Sequence, residues 1–401
     1  MKNDELFNKK ICCGCGACAV ICPQNAISLI EDLYGFTYPQ IDEDKCINCG
    51  ACKKVCAFRK EKEENKFTCY ACANKNENLI MKSASGGAFS AIADSFLKKG
   101  GYVCGAVGKV QEGYAIVEHE VISKREELYQ LQGSKYVQSA TLTSFKKIQQ
   151  LLKDGEKVLF SGTPCQVDAI KSLCRKYVGV SLFTMDIICH GVPNQKIFNG
   201  YLEEYQKRRG SILSYIDFRN KQYGWGLKGV TRFEDETEGA ITPENSSYYK
   251  MFLDGEIYRE SCYYCPYANL NRVGDLTIGD YWGFQDLSPE LKDKPYISEK
   301  KGVSCLIVNE PTGVDLIREY GEGLVVYPVE VEKVMIINTQ LREPANHTGK
   351  RDKFLQTFSN KGYGVIERRY QGKLKIKRYK SKIKSIVPGS IKNVLKSVAG
   401  K

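Results

Sequence analysis

Eight of the chain's 18 cysteines form two copies of Cys-x2-Cys-x2-Cys-x3-Cys, set 34 residues apart. The first copy is Cys12, Cys15, Cys18 and Cys22; the second is Cys46, Cys49, Cys52 and Cys56. Thiolates spaced this way hold cubane iron–sulfur clusters, and where two such runs share one fold the fourth cysteine of each ligates the other cluster. The spacing therefore predicts one 4Fe-4S cluster on Cys12, Cys15, Cys18 and Cys56 and a second on Cys46, Cys49, Cys52 and Cys22. Zinc and disulfides are the competing readings, but zinc sites use separated Cys-x2-Cys pairs. Gly14, Gly16 and Gly50 let the backbone wrap toward the cluster sulfurs. Pro23 follows Cys22, whereas Ala57 follows Cys56, a departure that leaves ligation intact. The chemistry is electron transfer.

A second set of cysteines depends on the elements that carry it. Lys157 to Ser161 reads as a strand, Gln166 to Tyr177 as a helix, Val178 to Ile188 as a strand and Gln195 to Arg208 as a helix. Such a β-α-β unit makes its two strands parallel, and ligands bind beyond the carboxyl ends of strands in such sheets. Two loops occupy those ends, Gly162-Thr163-Pro164-Cys165-Gln166 and Cys189-His190-Gly191-Val192-Pro193. Cys262-x2-Cys265 follows with no partner nearby in sequence. Four thiolates suffice for a third cubane; a packing role for Cys165 and zinc on Cys262 and Cys265 compete with it. Cys104, Cys174 and Cys305 lie in apolar periodic segments and read as packing residues. Cys13 reads as a spectator beside a ligand, and Cys69 with Cys72 lack a second pair.

At 401 residues the chain has room for two or three domains. No apolar run precedes the first motif and no uncharged apolar stretch reaches 18 residues, so the expectation is a protein neither exported nor membrane-spanning. Abundant cysteine then argues for a reducing compartment, the cytoplasm, and for metal ligation. Of 59 Lys and Arg, 12 fall between Arg368 and Lys401 with no Asp or Glu among them, which leaves 47 against 47 in the body. A neutral body excludes a nucleic-acid surface. In the tail, Ile376, Tyr379, Ile383, Ile386 and Val387, then Ile391, Val394, Leu395 and Val398, recur at helical spacing among lysines. Such a segment suits peripheral contact with the anionic inner face of a membrane; a solvated or partner-docked tail is the competing reading.

Residues 1–60 read as an α+β ferredoxin-like module, closed by the polar stretch Arg59 to Lys66. Beyond it, Ser83-Ala84-Ser85-Gly86-Gly87 precedes a helical pattern (Phe89, Ile92, Ala93, Phe96, Leu97) that ends at Gly100-Gly101. Tyr102 to Val107 reads as a buried strand and Ser144 to Lys153 as a helix.

Six blocks in this order carry a resemblance: Ser83 to Gly87, Gly133-Ser134-Lys135-Tyr136, Gly162 to Gln166, Cys189 to Pro193, Cys262-x2-Cys265, and Asp275 to Gly283. From about residue 67 to 345 the chain resembles the beta-subunit family of coenzyme F-420 hydrogenases and dehydrogenases. That family includes plant and cyanobacterial 7-hydroxymethyl chlorophyll a reductases. Several bacterial members with an N-terminal ferredoxin domain occur with surface-polysaccharide genes and have no established substrate. The resemblance implies an α/β domain with a mixed sheet that binds FAD and a third 4Fe-4S cluster, on Cys165, Cys189, Cys262 and Cys265. It divides the chain into a two-cluster module (1–60), an N-terminal family portion that binds FAD (67–150), a C-terminal family portion with FAD and the third cluster (151–345), and a basic amphipathic tail (346–401).

Carried over by motif, Ser85, Gly86 and Gly87 would offer backbone N–H groups to the FAD pyrophosphate, although Ser-x-Ser-Gly-Gly is also an ordinary N-cap and turn. Ser134, Lys135 and Tyr136 form the second block, and Lys135 would be the cation beside the isoalloxazine. Thr163 and Gln166 would contact the flavin. Asp280 would accept from FAD hydroxyls with Trp282 packed nearby, or simply close the sheet. His190 would donate to a cluster sulfur or relay a proton, making Lys135 and His190 the candidate catalytic pair; a structural role for the histidine competes. The implied function is an iron–sulfur flavoprotein oxidoreductase passing electrons between clusters and FAD to or from a small-molecule substrate, with a redox protein such as ferredoxin as partner. Two readings compete: a coenzyme F-420 dehydrogenase that feeds ferredoxin, and a non-enzymatic relay subunit.

Overall fold

The two cysteine runs fold as matching halves. Gly16 and Gly50, both left-handed (φ 77° and 72°), cap the short helices Ala17–Ile21 and Ala51–Val55, whose C-caps are Cys22 and Cys56. Between the runs, β1 (Ile27–Glu31) and β2 (Thr37–Ile41) pair antiparallel. The computed structural model describes residues 8–59, 66–309 and 311–386, without the side chains of 59 and 377–386. Most of the polar stretch after Arg59, and the tail pattern from Val387 through Val398, lie outside the described residues.

Ala19, Ile27, Ile41 and Cys52 are the module's own buried core. A core this small stabilises little by itself, and the module leans on the rest of the chain. The helix Ala17–Ile21 packs on the helices Leu142–Lys153 and Pro164–Leu173, and Ala17 and Val55 join the core of Phe145, Ile148 and Phe160.

Beyond residue 66 the chain builds one eight-stranded mixed sheet. In chain order its first five strands are β3 (Phe67–Asn74), β4 (Tyr102–Gln111), β5 (Tyr114–Ile122), β6 (Val158–Gly162) and β7 (Leu182–Ile187). A separate antiparallel sheet of β8 (Leu213–Asp217), β9 (Gly229–Phe233) and β10 (Glu238–Ile241) intervenes. Then β11 (Leu276–Asp280), β12 (Ser304–Asn309) and β13 (Leu324–Pro328) return to the main sheet, in the order β13-β3-β12-β11-β7-β6-β4-β5. The middle strands β11, β7, β6 and β4 run parallel, and the outer pairings are antiparallel. A parallel centre covered on both faces needs near-continuous apolar strands. Leu159 accordingly belongs to one core, with Phe96, Met185 and Leu306, while Val158 and Phe160 belong to another. Strands from both sides of residue 150 share this sheet, so 67–150 and 151–345 form one folding unit.

The expected β-α-β unit is present: β6, the helix Pro164–Leu173 and parallel β7. The segment after 345, read from the sequence as the start of a basic tail, begins inside the body. Phe354, Leu355, Phe358 and Tyr363 are buried in a core with Phe198 and Tyr201. The helix Tyr363–Ile386 is anchored by Glu367, which pairs with Arg208 at 3.0 Å, and by the Tyr370 hydroxyl, which donates to Pro243 O. No described helix is long and apolar enough to cross a membrane.

Candidate functional site

Cys22 joins Cys46, Cys49 and Cys52 around one cavity, the grouping that the crossed reading expects. Cys12, Cys15, Cys18 and Cys56 line a second, which Cys52 also borders. Burial, with Cys12 and Cys56 adding to it, pushes the Cys18 thiol up to about 12. Iron would reverse this shift, because a coordinating thiol is deprotonated outright. No disulfide joins any of the 18 cysteines. Among the described residues no three His, Cys, Asp or Glu side chains converge on a single metal ion. A cubane needs a looser arrangement, because each thiolate meets its own iron.

The second cavity extends to Cys165. Pro164–Leu173 begins directly after β6, with a reciprocal capping box between Thr163 and Gln166 at its N-terminus. The Thr163 hydroxyl lies 3.2 Å from Cys165 Sγ and 3.0 Å from Gln166 Oε1. Cys189 follows β7, and the Cys262 and Cys265 turn reaches the same edge. Cys189 feels the charges of Cys262, Cys165 and Cys265, and burial is the largest cause holding its thiol well above the ordinary range. Burial likewise raises Cys262 to about 12 and Cys265 to about 11. Arg272, buried and paired with Asp186 at 2.7 Å, sits beside Cys265. Cys13, expected to be a spectator, has its thiol between Cys15 of one quartet and Cys165 of the other, and both act on its proton affinity. Cys69, Cys72 and Cys305 are buried in neighbouring strands β3 and β12, and Cys104 and Cys174 are buried too.

Near this edge two lysines are held by backbone carbonyls. Lys135 Nζ donates to three carbonyls, Gln130 O at 3.1 Å, Gln132 O at 2.7 Å and Gly133 O at 3.3 Å. Lys221 Nζ donates to Ile80 O at 2.6 Å and Ser85 O at 2.5 Å, tying it to the Ser83–Gly87 loop. Among the described residues neither ammonium has a carboxylate within ion-pair distance. Carbonyls satisfy their hydrogens without compensating their charge, so burial lowers both to about 7, with Asp217 opposing for Lys135 and Arg219 adding for Lys221. Arg219 clasps Asp280 with both arms, at 2.6 and 3.0 Å, and Trp225 Nε1 donates to Asp280 at 3.1 Å. Trp225 and Trp282 stack at 4.1 Å, with Arg219 over Trp282. Lys135 and Tyr136 are half-buried and His190 is exposed. Desolvation lowers His190, and Asp280 opposes that shift.

Other expected site residues have defined partners. The Ser85 hydroxyl donates to Val303 O at 2.8 Å. A Cβ on Gly86 would stand 2.5 Å from Cys72 O and Ser304 N, so this glycine lets the loop press on β3 and β12. Gly87 (φ 80°) caps the helix Ala88–Lys98. Gln166 Nε2 donates to Ser139 O and Oγ at 3.2 and 3.1 Å. Ser134 contacts Tyr136, whose ring packs on Phe218, Tyr249 and Phe252. Sequence reasoning missed Asp217, Arg219, Lys221 and Trp225. The signal available was a stretch mixing aromatics, cations and glycine, Phe218 to Gly226, between two strands.

The geometry and the comparisons agree on the fold's membership. The model described as "Coenzyme F420 hydrogenase/dehydrogenase, beta subunit N-term" matches residues 69–146, and its C-terminal counterpart matches 155–333. A 4Fe-4S dicluster domain matches 11–60. No curated protein matches significantly. Among solved structures, a chain of the F420-reducing [NiFe] hydrogenase complex from Methanosarcina barkeri aligns at a TM-score of 0.47 and 14% identity, covering 74% of this chain and 94% of that one. The two beta-subunit models together span more than half of the chain, which belongs to the coenzyme F420 hydrogenase/dehydrogenase beta-subunit family and carries an N-terminal 4Fe-4S dicluster domain.

Proposed function

We propose that the chain is an iron–sulfur flavoprotein oxidoreductase, carrying electrons from a one-electron partner through its dicluster module and a third cluster to FAD and a small-molecule substrate, or in reverse. The observation that carries the flavin reading is the pair of lysines, half-buried Lys135 and buried Lys221, whose ammoniums are held by carbonyls alone. Buried charge without a counter-ion is costly, and an anionic ligand removes that cost. Lys221 touches Ser85 of the loop whose helix N-terminus suits a pyrophosphate, and Trp282 with Trp225 offers an aromatic wall. These residues fit FAD. When bound, it supplies the junction between two-electron and one-electron chemistry. Lys135 then stabilises negative charge, Asp280 and Arg219 orient, and His190, which feels the charge of Asp280, holds or moves a proton.

The third-cluster reading is supported by the grouping of Cys165, Cys189, Cys262 and Cys265, with Thr163 and Arg272 beside two of them. At the opposite end, exposed Cys49 and Ile47 (60% exposed) give an external redox protein access to the outer cluster. Within the enzyme readings, the family description favours testing coenzyme F420 as substrate. Anaerobic reconstitution with iron, sulfide and flavin analysis is the test. About twelve irons and one FAD are expected. Lys135→Ala should make the flavin potential more negative. A protein that binds no flavin, as isolated or reconstituted, is instead a relay subunit.

A further inference from the structure

Arg259 pins the two modules together. It is 1% exposed; Nε donates to Gln138 Oε1 at 2.9 Å, Nη2 to Thr37 O at 2.9 Å and Nη1 to Cys12 O at 3.4 Å. The guanidinium lies over the rings of Phe36 and Tyr38, at 5.4 and 4.7 Å. Its backbone N–H donates to Val192 O in the Cys189 loop, and its carbonyl accepts from the Cys262 N–H. Gly14 abuts it so closely that a Cβ there would stand 2.6 Å from Nη2. The demand for glycine between two cluster ligands thus comes from the arginine as well as from the turn (φ 67°).

Among the described residues no carboxylate pairs with this cation; its acceptors are neutral oxygens. An isolated buried charge is retained only where something compensates it. Cys165 and Cys262 both feel its field, and on the other side it holds the Cys12 carbonyl. The same junction contains Cys13, in contact with Cys15 of one quartet and Cys165 of the other. Gln138, the arginine's partner, fixes Cys13 by donating from Nε2 to its carbonyl at 2.9 Å, and reaches Pro193 O through its own N–H at 2.8 Å.

We propose that Arg259 is the positioning residue of an electron-transfer junction between the Cys12, Cys15, Cys18, Cys56 site and the Cys165, Cys189, Cys262, Cys265 site. It seats Cys13 between the two quartets and supplies the positive charge that raises the reduction potentials of both. The inference rests on the third-cluster reading above. Reduction adds negative charge beside the guanidinium, so removing the cation destabilises the reduced form and lowers the potential. The buried, low-dielectric setting strengthens that effect. A purely structural clamp would leave the potentials of fully assembled protein where they are.

The test is an EPR-monitored redox titration of anaerobically reconstituted unaltered protein, Arg259→Gln, Arg259→Lys and Gln138→Glu, with iron counted in each sample. Arg259→Gln is expected to shift two sites to more negative potentials with its iron retained, and Arg259→Lys to bring them back toward the unaltered values. Gln138→Glu sets a carboxylate against the intact guanidinium and should shift the same two sites in the same direction. It decides the matter where Arg259→Gln fails to assemble. Unmoved potentials in iron-replete Arg259→Gln or Gln138→Glu overturn the inference, as does an Arg259→Lys protein shifted as far as Arg259→Gln. Only about eight irons in the unaltered protein would overturn the third-cluster reading itself and the inference with it, whereas about twelve with unmoved potentials overturns the inference alone.

Discussion

Binding of an anionic flavin against Lys135 and Lys221 should take up protons, and the amount should depend steeply on pH. Burial holds Lys135 and Lys221 at about 7 in the ligand-free chain, against 10.5 for an ordinary lysine. At pH 8 roughly nine in ten of each are then neutral, and at pH 6 roughly one in ten. An anion placed against them favours the charged form and raises both values. If both lysines pair with the ligand, binding takes up roughly 1.8 protons at pH 8 and roughly 0.2 at pH 6. Asp217 and His119 face Lys135, and Arg219 and Asp280 face Lys221. His119, lowered to about 4 by burial, is neutral across this window. His190, also lowered, is neutral at pH 8. The assay is isothermal titration calorimetry of flavin-depleted protein with FAD in buffers of differing ionisation enthalpy, where the slope gives the proton count. Lys135→Met should halve the uptake at pH 8. Flavin binding with no net uptake at pH 8, or with equal uptake at both pH values, refutes the idea that these ammoniums meet the anion. Through these two lysines the ligand-free fold gains stability as pH rises from 7, because the unfolded lysines hold protons that the folded ones have lost. The thiols held high by burial, Cys18, Cys262 and Cys265 among them, instead remove stability above about 9, where unfolded thiols lose protons that the folded ones keep.

Changing Cys262 and Cys265 to Ser should remove about four of about twelve irons and spare the dicluster signals; a metal analysis showing lost zinc instead would sink the third cluster. Arg219→Met leaves Asp280 without its bidentate partner and should cost about 3–5 kcal/mol, read as a lower denaturant midpoint; an unchanged midpoint means the pair contributes little. Removing 377–401, which keeps the described Glu367, Tyr370 and Gln371 contacts, should abolish binding to anionic vesicles and leave iron content unchanged. Equal binding of the intact chain to neutral and anionic vesicles would count against a membrane role for the tail.

How much of this was legible in the sequence follows from which forces set each residue. Cluster ligation imposes spacing on consecutive residues, so the two runs, and the 4Fe-4S dicluster domain they make, could be read directly. Cys165 and Cys189 were legible one step removed, because a parallel β-α-β unit must deliver the ends of β6 and β7 to one edge. Residues 218–226 were opaque. They connect β8 to β9, have no apolar period, and a cation in such a loop reads as solvated until the fold closes over it. The segment 346–401 misled for a related reason: net charge dominated the reading, while Phe354, Leu355, Phe358 and Tyr363 were already at the spacing that buries them.

Buried cations sort into two kinds, and the division argues for what the chain holds. Arg219, Arg272 and Arg351 each pair with a carboxylate, Asp280, Asp186 and Glu260. Such pairs are self-contained; they fix the ends of β11 and β7 and the approach to the Cys262 turn, and need no ligand to offset their charge. Arg259, Lys135 and Lys221 instead bind neutral oxygens. No carboxylate among the described residues compensates these charges; Arg259 acts on Cys165 and Cys262, and Lys221 touches the Ser83–Gly87 loop. Negative charge on a reduced cluster or an anionic flavin beside them would compensate all three, so a chain reconstituted with iron, sulfide and flavin should be more resistant to denaturant than the cofactor-free one, and equal midpoints would refute that role for these cations.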